Sequence, residues 1–326
     1  MWGAKYNEKI LKMQDKEWVL GIDPGSSRWG FVFLDDGRVV RETTMRTEDV
    51  RDNPREILKL VMCARLITAP SGYGVPLKKV SDLTPNDFFE MLLKRDGDRE
   101  GRSVMGLEKV LHLLREQQVN AYVIPGVKLL PTVPEERKYG KIDMGTPDKL
   151  CAAVAGIVEQ AHRLKLHYTQ TGFILAEIGS GFDAFLAVEG GQIVDGIGGT
   201  MASSTWRGED GELLYLKGIV SKEELMKSNL SAEKVQQGAL KDIESLRAQY
   251  KPREVLVSGS RSDIVFNFLR ARFKNVQRLK TCKCSNAAYG AAIIADGLAG
   301  GGFEELVDLI GIKKAKGSNL DYTDLK

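Results

Sequence analysis

The sequence predicts an α/β protein built from two related lobes that face each other across a cleft. Three observations predict it. The chain has 326 residues, long enough for two domains that each bury a core. The order of strands and helices read along the first half recurs in the second. Each half also carries an acidic, glycine-bearing turn at the same place, directly after its first strand.

The first strand is the short apolar run from Trp18 to Asp23. Residues 29–34 and 38–43, joined by Asp35-Asp36-Gly37, complete a three-stranded meander. Asn53 reads as a helix N-cap with Pro54 at the first helical position, followed by an apolar face of Ile57, Leu58 and Val61. A strand over 65–69 ends at Pro70-Ser71-Gly72. Residues 76–102 are polar and turn-rich and read as an insertion, with a short helix opened by Thr84-Pro85. Val104, Leu107, Leu111 and Leu114 keep helical spacing over 103–118. A strand over 120–127 follows, and Thr146-Pro147 opens a long helix through Leu164.

The second half repeats this order. Strands are predicted over 173–178, 184–188 and 192–195, with turns at Gly179-Ser180-Gly181 and Glu189-Gly190-Gly191. After an insertion at about 200–230 come a helix over 231–250, a strand over 254–257 and a helix over 263–272. A strand over 276–280 and a helix of small residues over 286–298 finish the pattern.

The turns carry the chemistry. In Asp23-Pro24-Gly25-Ser26-Ser27 the glycine lets backbone approach a phosphate, and successive amides form an anion-binding concavity. The Asp23 carboxylate beside it suits Mg2+ or the positioning of an attacking group. Alone, the same residues suit an ordinary hairpin turn equally well. The matching turn Glu177-Ile178-Gly179-Ser180-Gly181 tips the balance, because two such turns can grip a polyphosphate from both sides. Val257-Ser258-Gly259-Ser260 would leave room for a ribose and base, although by itself it is no more than a strand-to-helix turn.

This combination resembles the superfamily of acetate and sugar kinases, heat-shock ATPases and actin, and within it the acetate/butyrate kinase branch. Acetate kinases open with a strand and Asn-x-Gly-Ser-Ser-Ser, where this chain has Asp23-Pro24-Gly25-Ser26-Ser27-Arg28. Their Tyr-Gly-Phe-His-Gly-Thr-Ser-His segment corresponds to the stretch from Tyr139 to Asp148, and their His-Leu-Gly-Asn-Gly hairpin to Glu177 through Gly181. The whole chain is also similar to an archaeal family of unknown function that has been called butyrate-kinase-like.

The resemblance implies two ribonuclease-H-like, actin-like ATPase lobes, over 1–166 and 167–326, with a nucleotide cleft between them. It implies an ATP-dependent phosphotransferase that binds Mg2+ and ATP. Asp23 and Asp148 would organise the metal or the acceptor, and Gly25, Ser26, Ser27, Gly179, Ser180 and Gly181 would hold phosphates. Ser258, Gly259 and Ser260 would lie against the nucleoside. Arg207 falls near the arginine with which acetate kinases stabilise the transferring phosphoryl group, and reads equally well as a solvated loop arginine. Two family histidines are acidic here, Glu177 and Asp148. A carboxylate repels an anionic acyl phosphate, binds a metal or accepts a proton, so the nucleotide half of the resemblance is firmer than a butyrate-like acceptor. Both acids can also be read as buried structural groups.

Composition excludes several classes. Charged residues make up 28% of the chain at a net charge of +3, without a basic stripe for nucleic acid. No apolar run approaches bilayer length. Four cysteines and three histidines show no metal-ligand spacing, so free thiols and a cytoplasmic location are expected. The expected partner is a small-molecule acceptor, not nucleic acid or membrane, with a homodimer left open. Two other functions compete. Gly21-Ile22-Asp23-Pro24-Gly25 with Trp29-Gly30 also resembles the opening of Holliday-junction resolvases, structure-selective nucleases of related strand order. A nucleotide-binding switch or ATPase without transfer is the third reading.

Overall fold

The computed structural model describes residues 18–93, 106–205, 210–225 and 230–325. Two mixed sheets form the frame. The first contains β1 (Val19–Pro24), β2 (Arg28–Asp35), β3 (Arg38–Arg46), β4 (Leu66–Thr68), β5 (Lys78–Lys79) and β6 (Ala121–Val123), in the order β3-β2-β1-β4-β6-β5. The second contains β7 (Gly172–Ile178), β8 (Asp183–Glu189), β9 (Gln192–Gly198), β10 (Glu254–Ser258) and β11 (Val276–Arg278), in the order β11-β10-β7-β8-β9.

Without β5 the two orders are the same. In each, an antiparallel meander continues through its first strand into two parallel strands. The predicted repeat is therefore a repeat of topology, and the fold is that of two ribonuclease-H-like lobes. β5 is the exception: it comes from the 76–102 insertion, pairs antiparallel with β6 and extends the first sheet by one short edge strand.

Alternating side chains sort each sheet into two faces. On β2, Phe31 and Phe33 point to an outer core shared with Ile57, Val61 and Leu111, while Val32 and Leu34 point inward. On β7, Ile174, Ala176 and Ile178 face outward, and Phe173 and Leu175 face inward. The outer face of the first sheet is covered by a one-turn helix, α1 (Thr47–Asp52), by a 3-10 turn running into α2 (Leu58–Val61), and by α3 (Pro85–Leu92) and α4 (Leu107–Glu116). Thr84 and Asp87 close a capping box at the start of α3, as Thr84-Pro85 foretold. Asn53 precedes the predicted proline but makes no side-chain cap, and α1 ahead of it was not anticipated.

The two long inner helices, α5 (Pro147–Leu164) and α10 (Asn286–Leu298), lie between the sheets. The second half supplies, in chain order between them, α6 (Gly211–Leu216), α7 (Lys222–Leu225), α8 (Ala232–Gln249) and α9 (Asp263–Arg270), with α8 and α9 on the outer face. α11 (Glu304–Ile310), also unanticipated, packs beside α10.

The inner pair crosses over. α10 packs mainly under β1 and β2 of the first sheet, and α5 packs under β7 and β8 of the second. Their small residues make this possible. A Cβ on Gly290 of α10 would lie 1.8 Å from the Cys151 carbonyl oxygen of α5, and one on Gly21 of β1 would lie 2.1 Å from the Ala292 nitrogen. The helix of small residues is thus the place where both lobes touch one core. No helix among the described residues is long and apolar enough to cross a membrane.

Candidate active site

β1 and β7 each end in an acidic residue one position before the strand's last residue, and each chain then turns back into its antiparallel partner. In both turns the glycine is pressed against the carbonyl three residues ahead. A Cβ on Gly25 would sit 2.3 Å from the Arg28 oxygen, and one on Gly179 would sit 2.5 Å from the Phe182 oxygen. Any side chain would force either turn open. Ser26 and Ser180 occupy the matching positions, 154 residues apart, and their hydroxyl groups touch across the cleft. The two halves therefore present equivalent backbone concavities to one point.

The cleft between them has a volume of about 680 Å³ and is lined by both turns. It gathers Asp23, Gly25, Ser26 and Ser27 from the first half with Glu177, Gly179, Ser180 and Gly181 from the second. Asp148 and the Ser258-Gly259-Ser260 turn complete the predicted set. Arg207 lies outside the described residues.

At the centre sits a lysine that the sequence analysis passed over. Lys149, in the first turn of α5, places its Nζ 2.5 Å from Glu177 Oε2 and 3.0 Å from Asp148 Oδ2. Burial opposes its charge, yet the two carboxylates outweigh burial and hold Lys149 well above its ordinary value. Asp148 is pushed up by burial and pulled down more strongly by Lys149 and by the Thr146 hydroxyl, so it ends below its ordinary value and ionised. Glu177 stays above its ordinary value, chiefly through burial.

Asp23 is the acid without a cation of its own. Burial first, and then the charge of Asp148, push it up to about 7. The Ser285 hydroxyl donates to its Oδ2 at 2.6 Å and limits the rise. Ser285 is also the N-cap of α10, so the helix that binds the lobes together positions this hydroxyl. Asp23 and the ionised Asp148 whose charge raises it, beside amide-rich turns, form an oxygen donor set suited to a hard divalent cation such as Mg2+.

The far end of the cleft is formed by the strand-to-helix turn after β10. Gly259 has φ +97, and a Cβ there would be 2.2 Å from the Ile178 oxygen, so this turn is packed directly onto the base of the glycine turn after β7. Asn286 donates to Ser258 Oγ at 2.9 Å and to the Leu279 carbonyl at 2.9 Å, which fixes the turn against the start of α10. Gly179 N donates to Asp183 Oδ1 at 3.1 Å, and burial raises Asp183 to about 6.

The cleft also holds three further residues that sequence reasoning missed. Asp143 is buried before α5 and accepts from Gly145 N at 2.6 Å. Glu212, in α6, accepts from the Thr200 hydroxyl and from Tyr73 Oη at 3.4 Å. Both acids line the cleft with Tyr73. Burial is the main cause that raises Asp143 to about 7 and Glu212 to about 8, and the nearby acids add to it. Their signal in the sequence was faint, because Asp143 and Glu212 are 69 positions apart and only Asp143 lies in a stretch matched to a motif, at a position not singled out there.

Comparison with known proteins fits this architecture. The chain belongs to the family described as "Protein of unknown function (DUF1464)", whose sequence model matches residues 21–325. No curated protein matches it. Among solved structures, a propionate kinase from Francisella tularensis subsp. tularensis SCHU S4 superposes with a TM-score of 0.51 at 9% identity, over 85% of this chain and 98% of that one. An acetate kinase from Entamoeba histolytica gives 0.48 at 8% identity, over 78% and 87%. Component A of the (R)-2-hydroxyglutaryl-CoA dehydratase of Acidaminococcus fermentans gives 0.43 at 12% identity, over 89% and 99%. At 9% identity the first likeness is one of fold alone, and the other two, below 0.5, carry no argument.

Proposed function

We propose that this chain is an ATP-dependent phosphotransferase that holds Mg2+-ATP between its lobes and passes the γ-phosphoryl group to a small polar acceptor. The observation that carries this reading is the pair of equivalent turns, with Ser26 and Ser180 meeting at the centre of the cleft. Such a pair supplies amide donors to a polyphosphate from two directions, which suits a reaction governed by positioning and charge stabilisation. Asp23 and Asp148 would hold the cation, which when bound would neutralise charge on the phosphate oxygens. Lys149 pairs with both Asp148 and Glu177 and holds them in place. The Ser258-Gly259-Ser260 turn would receive the nucleoside.

The acceptor would enter on the side of Asp143, Glu212 and Tyr73. A carboxylate acceptor, as the hairpin resemblance suggests for a butyrate-kinase-like enzyme, would bring a negative charge against buried acids. A neutral polyhydroxyl compound would find hydrogen-bond partners there instead. The reading needs no nucleic acid, membrane or second copy of the chain. It also disfavours a nuclease, because the acids are shut between two lobes rather than set on an open face for a duplex.

The test is a panel of sugars, polyols, sugar acids and short-chain carboxylates, each with Mg2+-ATP, followed by phosphorus NMR. Transfer to a hydroxyl compound, lost in a folded Asp23→Ala variant, supports the proposal. Hydrolysis to ADP and phosphate with every acceptor would favour the switch reading. No change in ATP and no binding would overturn both.

A further inference from the structure

A second cluster of ligand-type side chains lies at the edge of the cleft, where the sequence spacing gave no sign of it. Glu42 stands on β3, at the free edge of the first sheet. Cys282 and Cys284 stand on the loop between β11 and α10. The carboxylate oxygen and both sulfurs lie within 4.8 Å of one another. We propose that Glu42, Cys282 and Cys284 form a binding site for a borderline-soft divalent cation of the zinc class, separate from the hard-cation place at Asp23 and Asp148.

The donor set is the first argument. Two thiolates and a carboxylate match zinc chemistry, with metal–sulfur distances of about 2.3 Å and metal–oxygen distances of about 2.0–2.2 Å. Tetrahedral geometry with those lengths separates ligand atoms by roughly 3.5–3.8 Å, so atoms within 4.8 Å of one another need to draw in by roughly 1.3 Å at most.

The loop is the second argument. The chain bends through residues 281–284 and brings both thiols to the Glu42 carboxylate. The Ser285 amide points at Cys282 Sγ from 3.4 Å, the kind of outer hydrogen bond that steadies a ligating sulfur. The Lys283 and Cys284 amides donate to Glu42 Oε2 at 2.8 and 3.3 Å, which draws the carboxylate from the other lobe's sheet onto the same loop.

Binding would replace the two thiol protons, which pass to solvent, and no electrons would move. With three protein ligands, the fourth position would remain open towards solvent, and both cysteines line the cleft. The site would fasten β3 to the loop that delivers Ser285 to Asp23. Occupancy would thereby fix the hydroxyl donor of the central acid.

The probe is Co2+, titrated into the reduced full-length chain after removal of metals by a chelator. The expected result is one Co2+ per chain, with thiolate-to-metal charge-transfer absorption and the intense visible bands of a tetrahedral site. Zn2+ should abolish the signal and excess Mg2+ should leave it. Cys282→Ser and Cys284→Ser should lose the charge-transfer band and Glu42→Gln should weaken it, while Cys63→Ser, Cys151→Ser and Asp23→Asn should keep it. Alkylation read by mass spectrometry needs no variant: Zn2+ should protect Cys282 and Cys284 from modification in the unaltered chain. The proposal is overturned by absence of the band, by its survival in the Cys282→Ser or Cys284→Ser chain, by its loss in Asp23→Asn, or by cysteines that react equally fast with and without Zn2+.

Discussion

Replacing Asp23 with asparagine should make the protein more stable while removing its proposed chemistry. Asp23 is raised to about 7 from 3.8 by burial and by the charge of Asp148, against the Ser285 hydrogen bond and Lys149. A native state that holds this proton more tightly than the unfolded chain loses stability as pH rises from about 4, and the whole loss is in place above about 7. Roughly three pKa units at ~1.4 kcal/mol each set an upper bound of ~4 kcal/mol at about pH 8. Two effects reduce it. Asp23 is only half-buried, so water in the cleft screens its charge. The amide also holds the Ser285 hydroxyl less well than a carboxylate does, a difference of ~1 kcal/mol. The expected gain for Asp23→Asn is therefore ~1–3 kcal/mol at about pH 8, shrinking towards zero near pH 4. Denaturant unfolding of both chains across this range, without nucleotide or divalent metal, measures it. Mg2+ should then stabilise the unaltered chain and leave Asp23→Asn unmoved. A variant that is less stable at pH 8, or a difference that does not change with pH, would refute the reasoning that Asp23 is a carboxylate crowded for want of a cation.

Other changes test neighbouring parts of the account. Lys149→Met strips Asp148 and Glu177 of their shared cation and should cost ~3–5 kcal/mol in unfolding free energy, the usual loss when one side of a buried ion pair is removed. Gly290→Ala sets a methyl group 1.8 Å from the Cys151 oxygen, so the crossing helices must part; a loss of ~1–3 kcal/mol or more by thermal denaturation is expected. Glu212→Gln removes an acid raised to about 8 from the proposed acceptor side. It should weaken acceptor use, read as a higher KM for the acceptor with that for ATP unchanged.

Much of the fold could be read from sequence because local signals agreed with tertiary structure. Apolar strands carried Asp23 and Glu177 at their ends, one residue before the last, Pro147 and Asn286 opened long helices, and the element order repeated. What could not be read is which sheet each inner helix covers. That choice depends on glycines 21 and 290 meeting distant backbone, which no local pattern encodes. The same holds for the site. Its turns carry their chemistry in consecutive residues and were legible as such. Lys149 was passed over because its role depends on Glu177, which a different strand brings to it. Asp143 and Glu212 meet only through tertiary folding, as do Glu42 and the two cysteines. β5 was hidden for a related reason: a two-residue strand exists only by virtue of the edge it pairs with.

The central claim is that the paired turns at 25–27 and 179–181 grip the phosphates of one nucleotide, and calorimetric titration of Mg2+-ADP into the unaltered chain and Ser180→Asp tests it most directly. Ser180 is exposed at the tip of the second turn, so the added carboxylate leaves the core alone and sets a negative charge where phosphate oxygens would lie. The account predicts one nucleotide per unaltered chain and a loss of affinity of about tenfold or more, ~1.4 kcal/mol, in the variant, with circular dichroism unchanged. Failure of the unaltered chain to bind at millimolar nucleotide, or equal binding by Ser180→Asp, would contradict it.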